Sequence, residues 1–312
     1  MMRPRRGLRN PRLWRESGEA YLYLLPAFFI MSMFVFYPFI NALVLSFQEV
    51  DLVARVDGEL VPFYRQFVGL SNFQRLFGDR HFIQALRITS IYVGVSVPLT
   101  IGLALVLATA LSQALRLRPF FRLAFFIPYI TPVVALAMVW TWIYHDRVGL
   151  LNYFLQLLGF SRVRWLNDPA FAVPAIVLFS VMRYVGYQAL ILLAGMQNID
   201  RTYYEAAIVD GATPLQAWRR ITVPLLTPQL FFVFLISLMS AYRIFDEVFI
   251  LFAGTPGPLG SARTIVIYLY NQAFVDFRFG QAAAASVVLF GIIFVLALFQ
   301  ITVTQRRVHY DQ

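Results

Sequence analysis

The sequence lacks both cysteine and lysine, and charged residues make up only 13% of it. Without cysteine there is no disulfide, thiol nucleophile or thiolate metal ligand. Without lysine there is no GxxxxGK[ST] phosphate-binding loop, so any nucleotide must be handled by another polypeptide. Three histidines, His81, His145 and His309, are far apart in the sequence and fall in predicted loops or a tail. This placement favours surface positions over a metal site.

What the sequence does contain is apolar: 60% of its residues are hydrophobic. Crossing a hydrocarbon layer of ~30 Å takes about 20 apolar residues, and six runs are long enough. These runs are 21–47, 84–111, 120–144, 170–197, 225–251 and 280–304. Because lipid cannot satisfy exposed backbone polar groups, the sequence predicts an all-α bundle of six transmembrane helices. The predicted transmembrane domain is 21–304, between an arginine-rich tail, 1–20, and a short tail, 305–312.

The arginines predict the orientation of the bundle. They are dense in the N-terminal tail and recur in the 113–122 loop, in a polar loop at 198–224 and at the C-terminus. Cytoplasmic segments carry such an excess, so both termini and the polar loop are expected in the cytoplasm. Topology also explains the basic tail better than nucleic-acid binding does. The first apolar run is too long for a secretory signal core, and no small-residue cleavage site follows it.

The polar loop has two signatures of a helix N-terminus. The first is a capping box from Thr202 to Glu205, with Asp200 as an alternative cap. The second starts at Thr213, which is followed by proline at the first helical position and glutamine at the third. Between them Gly211 is expected to take a positive φ and end the first helix. The pattern predicts two short helices joined by a tight turn.

The second of these helices carries an apolar face that includes Leu215 and Trp218, and Pro224 is expected to close it. A cytoplasmic loop has little reason to expose a tryptophan. Such a helix either lies on the membrane surface or inserts into a groove of another protein, and the residues alone leave both options open.

This loop resembles the EAA motif of permease subunits of ATP-binding-cassette (ABC) importers, and Trp218 stands where phenylalanine is commoner. The matching residues are Glu205, Ala206, Ala207, Asp210, Gly211, Ala212, Ile221 and Pro224. The resemblance extends along nearly the whole chain, through segments 23–26, 36–38, 68–73, 193–199 and 245–246. It is strongest to the carbohydrate-uptake branch, with its MalF and glycerol-phosphate permease-like subunits.

The resemblance implies a type I ABC importer permease fold in the inner membrane of a bacterium or archaeon. It implies a carbohydrate substrate: an oligosaccharide, a monosaccharide or a polyol phosphate. It also implies that the polar loop, with Trp218 among its contact residues, seats in a cleft of a cytoplasmic ABC ATPase. The expected partners are a second homologous permease forming a heterodimer, two copies of that ATPase and an extracytoplasmic solute-binding protein. ATP and Mg²⁺ belong to the ATPase, so no cofactor and no enzyme activity are expected of this chain.

A polar face on the fourth predicted span is a candidate substrate pathway. Its residues recur at helical spacing: Ser180, Arg183, Tyr184, Tyr187 and Gln188. A charge deep in a span costs about 2.5–3.5 kcal/mol on insertion scales and usually faces the bundle interior or water. The face is either a hydrogen-bonded seam between helices or a lining in which tyrosine stacks on a sugar.

Two further features leave alternatives open. Arg243, Asp246 and Glu247 near the end of the fifth predicted span have the spacing of ion pairs within one helix, and they form either a local cluster or an outer gate. Pro128 and Pro132 predict a kink in the third span, as a packing bend or as part of a pathway. The rival functions are an ion-coupled secondary transporter, an ABC permease for a non-sugar solute, and a membrane enzyme, although no catalytic groups converge in the sequence.

Overall fold

A computed structural model describes residues 11–56, 59–113 and 117–305. Most of these residues are helical, which confirms the predicted fold class, and the elements are numbered here in chain order. They are α1 (Pro11–Met31), α2 (Tyr37–Leu45), β1 (Gln48–Val56), β2 (Glu59–Phe67), α3 (Ser71–Gly78), α4 (Arg80–Ser112), α5 (Arg118–Ile130), α6 (Val133–Ile143), α7 (Leu150–Leu157), α8 (Pro169–Gln197), α9 (Arg201–Val209), α10 (Pro214–Ala217), α11 (Val223–Leu225), α12 (Thr227–Tyr242), α13 (Asp246–Leu251), α14 (Ile265–Phe274) and α15 (Phe279–Gln305).

Four helical stretches of the described chain are long and apolar enough to cross a membrane, and the count reaches six if each of two bent pairs is one span. Three of the four are α4, α8 and α15, which contain the predicted spans at 84–111, 170–197 and 280–304. The fourth joins α1 to α2 through a π-helical turn, Ser32–Phe36. Because α1 begins at Pro11, residues 11–20 extend the first helix, whereas the predicted tail reached to residue 20.

The predicted third span is broken. Helices α5 and α6 meet at 99°, a much sharper change of direction than a packing bend. Thr131 and Pro132 have extended ψ angles of 134° and 128°. Proline disfavours the helical conformation of the residue before it, so Pro132 separates the two helices, whereas Pro128 lies inside α5.

The predicted fifth span is interrupted at both ends. The helical stretch Pro214–Leu225 meets α12 at a bend of 64°. The second helix of the polar loop therefore ends at Leu225, one residue after the predicted end at Pro224, and α12 follows it in a new direction. At the other end α12 stops at Tyr242, and residues 243–245 are not helical. A separate short helix, α13, follows them.

An antiparallel hairpin of β1 and β2 occupies part of the 48–83 segment, where no strand was predicted. Its register runs from Gln48 opposite Phe67 to Val56 opposite Glu59. The buried amide of Asn72 in α3 anchors it, donating hydrogen bonds of 3.1 Å to the Ser46 carbonyl and 2.8 Å to the Gln48 carbonyl.

The core is built around the long helices α4 and α8, which pack along each other. Small side chains at their contact, including Ala104, Ala108 and Ala189, are fully buried. Small residues allow membrane helices to approach closely, which increases dispersion contacts where no hydrophobic effect drives association. The closest backbone approach is between α8 and α5, at Gly186, where a Cβ would lie 1.8 Å from the Phe125 carbonyl oxygen. Helices α4 and α8, with α5 packed closely against α8, therefore form the wall that carries most of the polar groups of the site.

Candidate functional site

A cavity of about 420 Å³ lies between α4, α5, α8, α12 and α13. It brings together two residue sets that the sequence suggested as separate features, the polar face of α8 and the charged cluster after α12. All eight of these predicted residues line it: Ser180, Arg183, Tyr184, Tyr187, Gln188, Arg243, Asp246 and Glu247.

An ion pair joins α8 to α13 in the wall of this cavity. The Nη1 atom of Arg183 lies 2.5 Å from Oε1 of Glu247, and the Tyr184 hydroxyl donates a 3.0 Å hydrogen bond to the same oxygen. The two charged side chains are only 16% and 6% exposed. The Glu247 carboxylate of α13 therefore accepts hydrogen bonds from two donors of α8.

This pairing corrects the predicted ion pairs between Arg243 and the two following acids. The prediction assumed one continuous helix, whereas residues 243–245 are not helical, so the i, i+3 and i, i+4 spacing does not apply. Arg243 instead donates from Nε to the Met239 carbonyl at 3.2 Å. Glu247 pairs with Arg183, 64 residues away in the sequence.

Two tyrosines stack in the same cavity. The rings of Tyr129 in α5 and Tyr187 in α8 are 4.1 Å apart between centroids and 5° from parallel. One face of Tyr187 is therefore occupied by a neighbour. Tyr129 was not among the predicted pathway residues; it reaches the cavity because α5 packs against α8.

Helix α4 supplies polar lining that the sequence reasoning missed. Tyr92, Ser96 and Thr100 all line the cavity, and the Tyr92 hydroxyl donates a 2.8 Å hydrogen bond to Ser180 Oγ. Their spacing of four residues in the otherwise apolar stretch 91–108 of α4 is the signal that would have found them, since such residues share one helical face. Across the cavity Gln188 Nε2 donates to Ser237 Oγ at 2.8 Å.

The polar loop folds as two capped helices joined by a tight turn, as predicted. Asp200, rather than Thr202, caps α9 by accepting a 2.9 Å hydrogen bond from the Thr202 amide. This bond holds the pKa of the Asp200 carboxyl below its ordinary value. A reciprocal capping box starts the second helix, in which Thr213 Oγ1 accepts from the Gln216 amide and Gln216 Oε1 accepts from the Thr213 amide.

The turn between the two helices depends on Gly211. Its φ is +75°, a conformation that favours glycine. Its N–H donates to the Ile208 carbonyl at 3.0 Å, and the N–H of Ala212 donates to the Ala207 carbonyl at 2.9 Å. This is the Schellman pattern of helix termination, and it fixes the direction in which the second helix leaves.

Trp218 faces its own chain rather than solvent. It is half-buried, and its Nε1–H donates a 3.0 Å hydrogen bond to Thr109 Oγ1 of α4. The contact of this ring with a partner ATPase stays a prediction, and in the conformation seen here the ring bonds to its own chain. It lines a cleft of about 1140 Å³ between the loop and the ends of α4 and α8.

Other apolar side chains of the loop are displayed. Ile208, Val209 and Leu215 are 73%, 87% and 72% exposed, and they flank the Gly211 turn. Glu205 and Ala206 are exposed on the same helix, α9. Three exposed aliphatic side chains around one turn form a patch of the kind that marks an interaction site.

Residues 96–309 match the family of binding-protein-dependent transport system inner membrane components. The chain belongs to this family. The match includes the whole polar loop and all the residues that line the cavity except Tyr92.

Individual relatives match almost the whole permease. The UgpA permease protein of the sn-glycerol-3-phosphate transport system of Agrobacterium fabrum is 32% identical over 294 residues, covering 93% of this chain and 96% of its own. The trehalose/maltose transport permease MalF of Thermococcus litoralis is 31% identical over 294 residues, covering 94% and 96%. The resemblance to this branch of ABC permeases is thus confirmed.

The fold also matches a solved structure, that of a bacterial alginate ABC transporter in complex with an alginate pentasaccharide-bound periplasmic protein. The TM-score is 0.81, and the match covers 95% of this permease and 98% of that chain at 24% sequence identity. At this identity the likeness shows the fold alone.

Proposed function

We propose that this permease is one subunit of an ATP-driven carbohydrate importer and that its polar loop, 198–224, couples an ATPase to the transmembrane cavity. The observation that carries the proposal is the exposed aliphatic patch of Ile208, Val209 and Leu215 on a loop held rigid by its caps. A free loop gains nothing from exposing three such side chains, whereas a groove on a partner protein would bury them.

The loop is built to move as one body. Asp200 and Thr213 cap its two helices, and the Gly211 turn fixes the angle between them. Closure of an ATPase dimer would displace such a unit without unfolding it. Glu205 and Asp210 are exposed beside the patch and supply polar contacts at its rim. Loop and ATPase then lie in the cytoplasm, the side that the arginine distribution favours.

The substrate class follows from the cavity and from the relatives. The cavity presents stacked tyrosine rings beside hydroxyl and amide groups of Ser96, Ser180, Gln188 and Ser237. Aromatic faces contact the C–H faces of sugars, and hydroxyls and amides bond to sugar hydroxyls. Two relatives are named for the transport of trehalose/maltose and of sn-glycerol 3-phosphate, which supports a sugar or a polyol phosphate as the substrate here.

The importer requires further chains. One permease chain supplies half a pathway in this proposal, and a second, homologous permease completes it as a heterodimer. Two copies of an ABC ATPase supply the ATP and Mg²⁺ chemistry, and a solute-binding protein delivers the sugar from outside. The assembly spans the inner membrane of a bacterium or archaeon.

Reconstitution in proteoliposomes tests the proposal. With both permeases, the ATPase and the binding protein present, we expect sugar uptake that needs ATP and is unaffected by a protonophore. An ATPase variant lacking its phosphate-binding lysine should abolish uptake. Uptake that survives ATP depletion and collapses with the protonophore would instead identify an ion-coupled secondary transporter.

A further inference from the structure

The charged side chains that line the cavity are balanced in sign. Two are arginines, Arg183 and Arg243, and two are carboxylates, Asp246 and Glu247. Arg243 and Asp246 are exposed, so water screens them. In the inner pair Glu247 is buried and Arg183 is half-buried, so this pair dominates the local field, since the same charge acts more strongly away from water.

Glu247 opposes the charge of Arg183 through a single donor, Nη1, while Nε of the same guanidinium is buried without a hydrogen-bond partner. Glu247 Oε1 accepts from both Arg183 and the Tyr184 hydroxyl. The Arg183 guanidinium also lies over the Tyr184 ring, 5.1 Å from its centroid. An anionic ligand would have to displace a carboxylate already desolvated and bonded, or accept a second negative charge nearby. Either event costs far more than the binding of a neutral hydroxyl.

We infer that this half of the pathway selects uncharged saccharides over anionic ones and that Glu247 is the specificity-determining residue. The inference rests on the proposed function, because it assumes that the cavity takes the transported solute. The remaining lining fits a neutral ligand: the paired rings of Tyr129 and Tyr187 offer apolar surface, and Ser237 and Gln188 offer neutral hydrogen-bonding groups.

The test compares two ligands that differ by one charge. Equilibrium binding of methyl glucoside and of methyl glucuronide is measured by saturation-transfer NMR on the full importer in nanodiscs without its binding protein, which would otherwise impose its own selectivity. In the wild type we expect the neutral probe to bind about tenfold better. In Glu247→Gln, the freed arginine should shift the ratio by about tenfold or more towards the glucuronide, because a unit charge near 4 Å acts strongly at an effective dielectric of about 20.

Two variants control for charge and for damage. Glu49 lies on the hairpin and forms an exposed ion pair with Arg75 of α3. Glu49→Gln removes the same charge there, and the ratio of glucoside to glucuronide binding should stay at its wild-type value. Arg183→Gln with Glu247→Gln removes both charges of the inner pair, and the neutral preference should return. If Glu247→Gln alone fails to assemble, Arg183→Gln decides: it leaves the Glu247 carboxylate unpaired, so the preference for the glucoside should increase, and an unchanged ratio would overturn the inference.

Several outcomes overturn the inference. These are a wild type that binds the glucuronide as well as the glucoside, a wild type that binds neither, and an assembled Glu247→Gln variant with an unchanged ratio. ATP-driven uptake is measured on the same variants reconstituted in proteoliposomes with the ATPase and the binding protein present. Uptake without the expected ratios refutes only the selectivity, whereas absence of uptake refutes the proposed function.

Discussion

Trp218 of the polar loop donates a hydrogen bond to Thr109, 109 residues earlier in the chain and close to the end of α4. The bond ties the loop to the same helix that carries Tyr92, Ser96 and Thr100 into the cavity. A displacement of the loop would therefore be transmitted along α4 to the polar wall. Tyr204 reinforces the unit, with its hydroxyl 2.9 Å from Thr222 Oγ1.

This contact gives the first prediction. Trp218→Phe keeps an aromatic ring but removes the donor, and we expect uptake per ATP hydrolysed to fall several-fold, as the loss of a bond worth about 0.5–1.5 kcal/mol implies. Thr109→Val removes the acceptor at nearly constant shape and should have the same effect. The measurement is the ratio of uptake to hydrolysis in proteoliposomes. Trp142→Phe is the control because Trp142 is largely exposed, and an equal loss in that variant would contradict the assignment.

The second prediction concerns the Gly211 turn. A Cβ at this position would meet no atom within 4 Å, so only the positive φ opposes substitution. Coupling should decline in the order glycine, asparagine, alanine, proline, because asparagine tolerates this conformation, alanine pays about 1–2 kcal/mol, and proline cannot adopt it. Sugar-stimulated ATP hydrolysis provides the readout. Full coupling in Gly211→Pro would show that the angle of the loop is irrelevant.

The third prediction concerns helix packing. Gly186→Ala would place a methyl group inside the backbone of Phe125, where no side chain can move aside. Overpacking costs about 1–3 kcal/mol even when neighbours adjust, so we expect a clear loss of thermal stability and of assembly. Gly94→Ala on α4 is the matched control, since its Cβ would meet nothing within 4 Å. Equal melting temperatures for the two variants would contradict the close approach of α5 and α8.

Much of the fold could be predicted because the relevant signals are local. Runs of apolar residues predicted the positions of α4, α8 and α15, and two signatures of helix N-termini predicted the polar loop, although the alternative cap Asp200, rather than Thr202, caps its first helix. The Asp57-Gly58 dipeptide is a hairpin signal that the sequence reasoning passed over, although the dipeptide itself lies outside the described residues.

The rest depended on contacts between distant segments. Helical spacing placed Arg243, Asp246 and Glu247 together, but it could not reveal that the chain leaves the helix after Tyr242 and turns Glu247 towards α8. Trp218 was assigned outward on the basis of its amphipathic pattern, because the alternative partner, Thr109, is remote in sequence. The roles of the loop and cavity residues stay predictions, which the variants proposed here address.

The last prediction concerns the tyrosine pair. Since Tyr129 covers one face of the Tyr187 ring, only the opposite face is free for a sugar. Tyr187→Phe keeps that face, whereas Tyr187→Leu removes it, and an aromatic contact is worth about 0.5–1.5 kcal/mol. We therefore expect Tyr187→Leu to raise the KM for sugar-stimulated hydrolysis several-fold with kcat little changed, and Tyr187→Phe to stay near the wild type.

A matched control separates this effect from a general loss of aromatic surface. Tyr153 lies on α7 and is exposed outside the cavity, so Tyr153→Leu should leave KM unchanged. If Tyr187→Phe proves as damaging as Tyr187→Leu, the hydroxyl rather than the ring face binds the sugar. The stacking of Tyr187 on Tyr129 would then serve to orient that hydroxyl, because a ring fixed by a parallel neighbour can present its O–H in only a narrow range of directions.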